Sequence, residues 1–458
     1  MFQMNTKNIF SILFIFFTLF SQGQSKKWTL RECVNYALEN NISIKQTDLE
    51  NKVATINKSD AIGNFLPTLN ANSSHSWNIG LNQNITTGLL QNQTTQFTSV
   101  GINSNIAIYN GLQNVNNLRR ANLSAISAQY QLTKMKDDIS LNVANAFLQI
   151  LFNKENLKVQ NEQQSNTAKQ IKRTQELVDA GSVPRGDLLD IKATLAANVQ
   201  ATIVAENTLL LSKLSLAQLL QFENFQDFDI ADSNYSVSAS PTMLQSSQAI
   251  YEKAKEQRVE LKLARTNLDI AERDVKIARG AYQPSINGFY SFSTRAGSSD
   301  RIIGVDTNGK PITAGPLPIF DQFSTNKGHS FGLQLSIPIL NRFTVQNNVA
   351  RSKVNLERSK IAFSQQELDL ERNVFTAIAD AKGALNSYES AQTALEARNE
   401  AFNYAKERFA VGMMNAFDLN QSQTLYVNAQ SEVLRTKYNY IFRVKVVEFY
   451  FGIPISQN

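Results

Sequence analysis

The stretch V-G-M-M-N-A-F-D-L, at Val411–Leu419, has the pattern of a tight turn between two long helices. Gly412 can adopt the left-handed backbone conformation that ends many helices. Asn415 suits the N-cap of the next helix. Asp418 suits its N3 position, where a carboxylate meets free backbone N–H groups and the positive end of the helix dipole. A structural role, helix capping, is therefore available to Asp418.

The same turn pattern occurs earlier, in the stretch A-G-S-V-P-R-G-D-L at Ala180–Leu188. Its Gly181 and Asp187 correspond to Gly412 and Asp418, because 412 − 181 and 418 − 187 both give 231. We interpret the chain as a tandem duplication, with a first repeat at residues 24–220, a connecting segment at 221–241 and a second repeat at 242–458.

Composition and charge exclude several functional classes. The 458 residues include 45 Lys and Arg against 39 Asp and Glu, and the basic residues are scattered among acidic ones. This pattern indicates solvated helix faces and no nucleic-acid partner. A single cysteine cannot form a disulfide within the chain, and one cysteine with two histidines argue against a metal cluster. We expect no metal and no cofactor.

The N-terminus has the pattern of a secretory signal peptide. Lys7 precedes an apolar run at residues 9–20, and the segment S-Q-G-Q after the run suits cleavage after Gly23. This assigns residues 1–23 to the signal peptide. No later segment is a transmembrane helix candidate, so entry into a membrane is expected to use strands.

Four alternating segments predict strands with one apolar and one polar face, at about residues 67–80, 97–109, 285–295 and 330–340. Pro67 and Pro284 open the first strand of each repeat, because proline is tolerated at the first position of a strand. The spacing between repeats is 217 at these prolines (284 − 67) and 231 at the second strands. The 14 additional residues (231 − 217) must lie in the loop between Thr294 and Phe331.

This loop contains Gly304-V-D-T-N-Gly309-Lys310, which fits the first part of a phosphate-binding loop. Pro311 follows where such a loop needs Ser or Thr, so the hydroxyl that binds magnesium is absent and proline interrupts the helix. Asn308 and Gly309 instead predict the turn of a β-hairpin.

Each repeat then contains a helical stretch of roughly 70 residues, about 100 Å long at 1.5 Å per residue. A seven-residue apolar repeat predicts a left-handed coiled coil in the second stretch; its members are Val374, Ala381, Tyr388, Leu395, Phe402 and Phe409. The intervening positions become polar towards the turn, at Gln392, Asn399 and Lys406, which predicts looser or wetter packing there. A shorter helix of about 35 residues should return antiparallel to each long helix.

Together these patterns predict a mainly α protein with a small β part. Four strands cannot close a barrel, and open strand edges in lipid leave unsatisfied backbone groups that each cost several kcal/mol. A membrane-spanning form therefore requires association of several chains.

The chain resembles the TolC-type outer-membrane efflux proteins in three features. These are the duplicated layout, the two strand-opening prolines, and the second turn with the sequence N-Q-S-Q-T-L-Y-V-N-A-Q that follows it and runs into R-T-K-Y-N-Y. The resemblance extends from Trp28 to about Gly452. It implies a homotrimer with a 12-stranded barrel in the outer membrane and an α-helical tunnel across the periplasm. Such a channel is a passive exit duct of a tripartite efflux pump or type I secretion system. Its implied partners are a periplasmic adaptor protein and an inner-membrane pump of RND or ABC type.

The resemblance also implies roles for particular residues. The turns at Gly181 and Gly412 form the periplasmic entrance, with Met413 and Met414 as contacts for an adaptor helix. Asp418 occupies the position of a family aspartate at the constriction, and Asp187 is its duplicate. A ring of three or six such carboxylates would favour cations and could bind a divalent ion. The residues expected to face lipid are Leu69, Trp77, Val100, Ile102, Leu333 and Ile337.

The family's gate does not transfer completely. Phe409, Met414 and Gln421 stand where well-known members have a tyrosine, an arginine and a second aspartate. The hydrogen bonds and ion pairs of that gate cannot form here.

Two other functional classes remain for comparison. A secreted trimeric coiled-coil scaffold would explain the helices but not the paired strands with apolar faces. An enzyme is the weaker alternative, because no nucleophile–histidine pairing, metal-ligand spacing or complete phosphate loop is present. Fractionation with the outer membrane would distinguish the channel from a soluble scaffold.

Overall fold

A computed structural model describes residues 27–83, 88, 90–222, 225–232, 235, 237 and 240–455. The predicted signal peptide, residues 1–23, lies outside the described residues. The helices are α1 (Leu30–Asn40), α2 (Ile42–Gly63), α3 (Gln113–Asp179), α4 (Arg185–Leu220), α5 (Ser247–Gln257), α6 (Val259–Gly280), α7 (Ile319–Thr325), α8 (Thr344–Ala410) and α9 (Ala416–Phe451). The strands are β1 (Lys27–Trp28), β2 (Thr68–Gln83), β3 (Leu90–Asn110), β4 (Asp229–Ile230), β5 (Ser285–Gly297), β6 (Arg301–Val305), β7 (Pro311–Ala314) and β8 (Gly328–Ser336).

Helix lengths match between the two halves of the chain. Helices α1 and α5 have 11 residues each, and α2 and α6 have 22. The long helices α3 and α8 both have 67 residues, and α4 and α9 both have 36. Equal lengths at equal spacings are what a tandem duplication predicts.

The chain divides into two compact units, and each takes residues from both repeats. The first unit contains the described residues within Met1–Leu49, Tyr130–Lys262 and Ser364–Asn458. The second contains Glu50–Gln129 and Leu263–Phe363.

The core of the first unit is formed by the apolar faces of long helices. Val374 and Ala381 of α8 are fully buried, and they pack with Ile250 of α5 and Val447 of α9. These two α8 positions belong to the predicted seven-residue repeat. Nearer the turn, Gln392 and Lys406 are exposed, as the polar character of these intervening positions predicts.

The connecting segment is fixed to the helices of the first unit by buried apolar side chains and by several ion pairs. Ile230 is fully buried, and Asp229 forms an ion pair of 2.8 Å with Lys213. Burial acts to raise the pKa of Asp229, but Lys213 and Lys154 outweigh it and hold that pKa below its usual value. The segment is therefore fixed on the helices by charge as well as by apolar contact.

Arg258, between α5 and α6, is a second charged contact in this unit. Its guanidinium donates to Glu260 at 2.8 Å and to Asp137 of α3 at 3.2 Å. It also lies 3.8 Å from the ring centroid of Phe449, near the end of α9. One buried side chain thus joins three helices.

The second unit contains a four-stranded antiparallel sheet with the strand order β2-β3-β5-β8. Two predicted strand bounds were wrong. Strand β3 begins at Leu90 because it pairs with β2 as far as Gln83, and β8 ends at Ser336. Pro338 has no N–H group to continue the ladder, so Ile337 lies just beyond the strand.

Cross-strand pairing shows which side chains share a face of this sheet. Ala71 pairs with Ile102, and Ile102 pairs with Phe292, so the predicted apolar faces form one surface. The opposite face is polar. There the side chain of Asn103 donates to Asn72 at 2.9 Å and accepts from Ser291 at 2.8 Å.

The longer loop of the second repeat forms a hairpin and a short helix. Strands β6 and β7 pair, and Gly309 has a φ of +78°, as the predicted Asn308–Gly309 turn requires. The Asp306 carboxylate accepts from the N–H groups of Asn308 and Lys310, both at 2.8 Å. This part of the chain is a hairpin and not a phosphate-binding loop.

One expectation about membrane helices needs correction. Within the described residues, α4 is long and apolar enough to cross a membrane by length and composition alone, because an 18-residue window of it has a mean hydropathy of 1.2. The prediction that no later segment is such a helix is therefore wrong; charged residues at the start of α4 obscure its apolar run, in which residues 193–212 include one charged residue, Glu206. One such helix is weak evidence of a membrane span.

Candidate functional site

Both predicted turns end a long helix with the same pair of backbone hydrogen bonds. Gly181 and Gly412 have φ values of +70° and +77°, the left-handed conformation that glycine adopts without strain. The N–H of Ser182 donates to Leu177 at 2.8 Å, and the N–H of Met413 donates to Arg408 at 2.9 Å. This arrangement is a Schellman motif, so the predicted helix ends are confirmed.

The helices that follow begin differently in the two repeats. In the second, the Asn415 side chain accepts from the N–H of Asp418 at 2.8 Å, which confirms the predicted N-cap. In the first, Pro184 holds the equivalent position and has no side-chain cap. Asp187 and Asp418 both lie in the first helical turn, where the helix dipole favours a negative charge.

An apolar cluster at one end of the first unit joins the two hairpins. Ile191 of α4 packs with Phe402 and Phe409 of α8 and with Leu419 of α9, and all four are buried. The Phe402 ring also stacks on Tyr426 at 5.4 Å. The cluster brings the turns at Gly181 and Gly412 to the same end of the unit. The spacing of 231 residues between the turns did not by itself predict that they share this cluster.

The two aspartates have different surroundings. Asp187 is half-buried and Asp418 is exposed. Within the described part of the chain, neither carboxylate has a hydrogen-bond or ion-pair partner. No group of three or more His, Cys, Asp or Glu side chains among the described residues could hold a metal ion. In one chain the turns therefore present two separate negative charges.

The two methionines at the second turn also differ. Met413 is 64% exposed, and its carbonyl accepts from the Arg408 guanidinium at 3.2 Å. Met414 is half-buried against the apolar cluster. Phe409 is a buried member of that cluster, while Gln421 is exposed. Where the family resemblance implies a tyrosine and an arginine, this chain uses apolar packing.

A groove with a mixed polar and apolar lining lies behind the turns, between α3, α4 and α9. Its volume is about 1180 Å³, and amide and hydroxyl side chains line much of it. Beside it, the buried Thr167 hydroxyl accepts from Asn198 at 2.9 Å and from Gln423 at 3.2 Å. Sequence analysis missed this contact between α3, α4 and α9. The signal for it in the sequence was Gln423, a polar residue four positions after Leu419, where a coiled-coil seam is normally apolar.

The six residues predicted to face lipid lie on or next to the sheet. Cross-strand pairing places Val100 and Ile102 on the same face as Ala71. Leu69 and Trp77 share that face, because they lie an even number of residues from Ala71 on the same strand. Leu69, Trp77 and Leu333 are exposed, as is Ile337 just after β8. The apolar side chains thus form an uncovered surface of the second unit.

Comparison with known proteins gave a match over most of the chain. A family model described as "Outer membrane efflux protein" matches residues 33–220 and 250–444. The outer membrane protein TolC of Vibrio cholerae is 23% identical over 383 residues, which are 79% of this chain and 79% of that protein.

Solved structures of similar fold cover nearly the whole chain. The outer membrane protein VceC of Vibrio cholerae has a TM-score of 0.77 at 13% identity, with 93% of this chain and 96% of that chain covered. The outer membrane channel CmeC of Campylobacter jejuni has a TM-score of 0.78 at 18% identity, with 94% and 87% covered. At these identities the likeness establishes the fold.

Proposed function

Because this chain belongs to the outer membrane efflux protein family, we propose that it is one subunit of a passive exit duct in the outer membrane. The duct serves a tripartite efflux pump or a type I secretion system. Its partners are a periplasmic adaptor protein, which docks at the turns, and an inner-membrane pump of RND or ABC type, which supplies the energy. The family is one of transport proteins, not enzymes.

The observation that carries the proposal is the open four-stranded sheet with its uncovered apolar face. Its outer strands, β2 and β8, each have an edge with no partner strand among the described residues. Such edges are not stable in lipid, whereas a closed barrel has no edges. Three copies joined edge to edge supply twelve strands, an even number that outer-membrane barrels use. The duct is thus a homotrimer with a 12-stranded barrel.

Helix α4 supports association of the helical parts as well. Val199, Ile203, Leu210 and Leu214 lie within about 60° of one another around the helix axis, and all four are exposed in one chain. An exposed apolar stripe of this length fits a neighbouring helix. In the trimer this stripe packs against the next copy, and the helices form a tunnel. The apolar character of α4 then serves subunit contact.

The two faces of the sheet have separate roles in the barrel. Leu69, Trp77 and Leu333 contact outer-membrane lipid, together with Val100, Ile102 and Ile337. The polar face, with Asn72 and Asn103, lines the channel. This arrangement matches the apolar-outside and polar-inside alternation of membrane barrels.

The turns form the periplasmic entrance. Three copies of Asp187 and Asp418 place up to six carboxylates around the constriction, which favours cations over anions. Gly181 and Gly412 shape the turns. Met413 is the exposed contact for the adaptor, and Met414 supports it from the apolar cluster.

Single-channel conductance of the purified protein in planar bilayers tests the proposal. The parent is compared with the double variant Asp187→Ala/Asp418→Ala. The variant Glu162→Ala/Glu396→Ala removes the same charge from exposed positions on the long helices and is the matched control. We expect cation selectivity and block by multivalent cations to weaken only in the aspartate variant.

The possible outcomes separate the parts of the proposal. Equal selectivity in parent and aspartate variant would retain the duct and reduce both aspartates to helix-capping residues. Protein that remains soluble and never inserts in a membrane would favour the secreted trimeric scaffold.

A further inference from the structure

The additional loop residues of the second repeat contain α7, a short helix that the proposed channel function does not explain. The helix follows the sequence P-L-P and contains Ile319, Phe320 and Phe323 on two turns. It lies between the β6–β7 hairpin and β8, within the second unit. The first repeat has a shorter loop here, and its described residues contain no counterpart of α7.

Several hydrogen bonds fix α7 to strand β5. The Thr294 hydroxyl donates to the Phe323 carbonyl at 2.7 Å. The Gln322 side-chain amide accepts from the Gly297 N–H at 2.8 Å and donates to the Gly297 carbonyl at 3.0 Å. Just after the helix, Asn326 donates to the Arg295 carbonyl at 2.8 Å. These contacts give α7 a defined position on the sheet.

That position is at the end of the apolar face of β5 that lies farther from the long helices. Along β5, Ile286, Tyr290 and Phe292 share this face with Thr294 and Ala296. From Ile286 to Phe292 the strand rises about 20 Å at ~3.4 Å per residue, which is about 16 Å along the barrel axis at a tilt of ~40° and lies within the roughly 25 Å apolar band of a membrane barrel. Thr294 and Ala296, the next two positions on this face, are buried where α7 packs. Helix α7 therefore lies where the apolar face of β5 ends.

The side of α7 away from the strand is apolar and uncovered. Phe320 is 79% exposed and Ile319 is 44% exposed. Phe323 is half-buried, with its ring centroid 6.5 Å from that of Phe320 in an edge-to-face arrangement. A large exposed aromatic side chain held in place by a neighbouring ring is suited to contact with another apolar medium.

We propose that α7 is an interfacial lipid anchor, which inserts Phe320 and Ile319 into the outer leaflet at the rim of the barrel. This inference rests on the proposed membrane channel. Aromatic side chains at the ends of an apolar band favour the membrane–water boundary. A neighbouring copy is not the occupant, because copies join at β2 and β8, whereas α7 packs on β5, an inner strand of the sheet.

Fluorescence quenching in vesicles tests the anchor. Single cysteines are introduced as Phe320→Cys and Ile319→Cys, each labelled with an environment-sensitive fluorophore. The native Cys33 is fully buried, so the parent protein is the labelling blank. Trp77→Cys is the control for the lipid-facing strand surface. Asn308→Cys, in the exposed turn of the β6–β7 hairpin, is the control for water.

The labelled proteins are reconstituted in phosphatidylcholine–phosphatidylglycerol vesicles that contain a nitroxide-labelled lipid. We expect loss of fluorescence at positions 320 and 319 comparable with that at position 77, and little loss at position 308. Iodide in the aqueous phase should quench in the opposite order.

Two results would overturn the anchor. If the lipid quencher acts at position 77 but not at 319 or 320, α7 does not contact lipid and the channel proposal stands. Protection of position 320 from both quenchers would then indicate that protein covers it. If position 77 also escapes the lipid quencher, the sheet is not in the membrane, and the proposed function fails together with the anchor.

Discussion

Replacement of Arg258 by methionine should destabilise the helical unit far more than replacement of an exposed arginine. Arg258 is only 6% exposed, and methionine preserves much of its length and apolar contact while removing the charge. The change leaves Asp137 and Glu260 without the guanidinium that each contacts at 3.2 and 2.8 Å. Both carboxylates are largely removed from water, with side-chain exposures of 31% and 20%.

Loss of one partner from a buried ion pair costs about 3–5 kcal/mol. Because these carboxylates keep some contact with water, the lower end of that range applies. Loss of the contact with the Phe449 ring adds up to about 1 kcal/mol. We therefore expect Arg258→Met to reduce the free energy of unfolding by about 3–4 kcal/mol. The matched control is Arg265→Met, because Arg265 and Asp269 form an exposed pair at 3.5 Å worth less than about 1 kcal/mol.

The measurement is denaturant unfolding of the detergent-solubilised protein, followed by far-ultraviolet circular dichroism. The pH dependence supplies a second check. Burial raises the pKa of Asp137, and Arg258 opposes that rise. A carboxyl with a raised pKa in the folded state stabilises the fold in acid, and this contribution disappears as pH rises through that pKa.

Without Arg258 the Asp137 pKa should rise further. The deficit of the variant should therefore be largest near neutral pH and should shrink on acidification, as protonation removes the unpaired charge. Equal losses for Arg258→Met and Arg265→Met, or a deficit that grows on acidification, would refute the reasoning.

Three further predictions concern the second turn and helix α4. Gly412→Ala should cost about 1 kcal/mol through backbone strain alone, since a Cβ there meets no atom within 4 Å. Gly383→Ala, inside α8 and equally unobstructed, should instead raise the free energy of unfolding by roughly 0.5–1 kcal/mol in the same assay. A change of the same sign in both variants would contradict the left-handed conformation at Gly412. Asn415→Ala should lower the free energy of unfolding by about 1 kcal/mol through loss of the N-cap. An unchanged unfolding midpoint would show that the N-cap does not stabilise the fold. The double variant Ile203→Glu/Leu210→Glu should abolish the trimer in analytical sedimentation, whereas the control Glu206→Gln should retain it. A trimer that stays intact in the double variant would exclude the α4 stripe as the subunit contact.

Local patterns allowed much of the fold to be predicted. The turn at Gly412 needed a residue with a low-energy left-handed conformation, and Asn415 needed only the N–H three residues later. The Asn308–Gly309 hairpin followed from the same kind of local chemistry. The strand bounds were less accurate, because the start of β3 depends on how far its partner β2 continues.

The candidate site was predicted only in part. The positions of Asp187 and Asp418 in equivalent turns could be read from the spacing of 231, and their role at a channel entrance remains a proposal. The replacement of the family's polar gate by Phe409 and Met414 was visible in the sequence. That both residues pack into one apolar cluster was not, because the cluster also needs Ile191 from the other repeat.

The periodic spacing of apolar residues, two along the strands and about 3.5 along the helices, specified the elements and their order from sequence alone. Such periods arise from the geometry of one strand or one helix, so they can be recognised without knowing which element packs against it. Contacts between distant segments are different. Such contacts depend on which faces meet in three dimensions. Examples are the contact of Arg258 with Asp137, the hydrogen bond from Gln423 to Thr167 and the packing of α7 on β5. A single helix or strand has several faces that satisfy its own geometry, and packing selects among them.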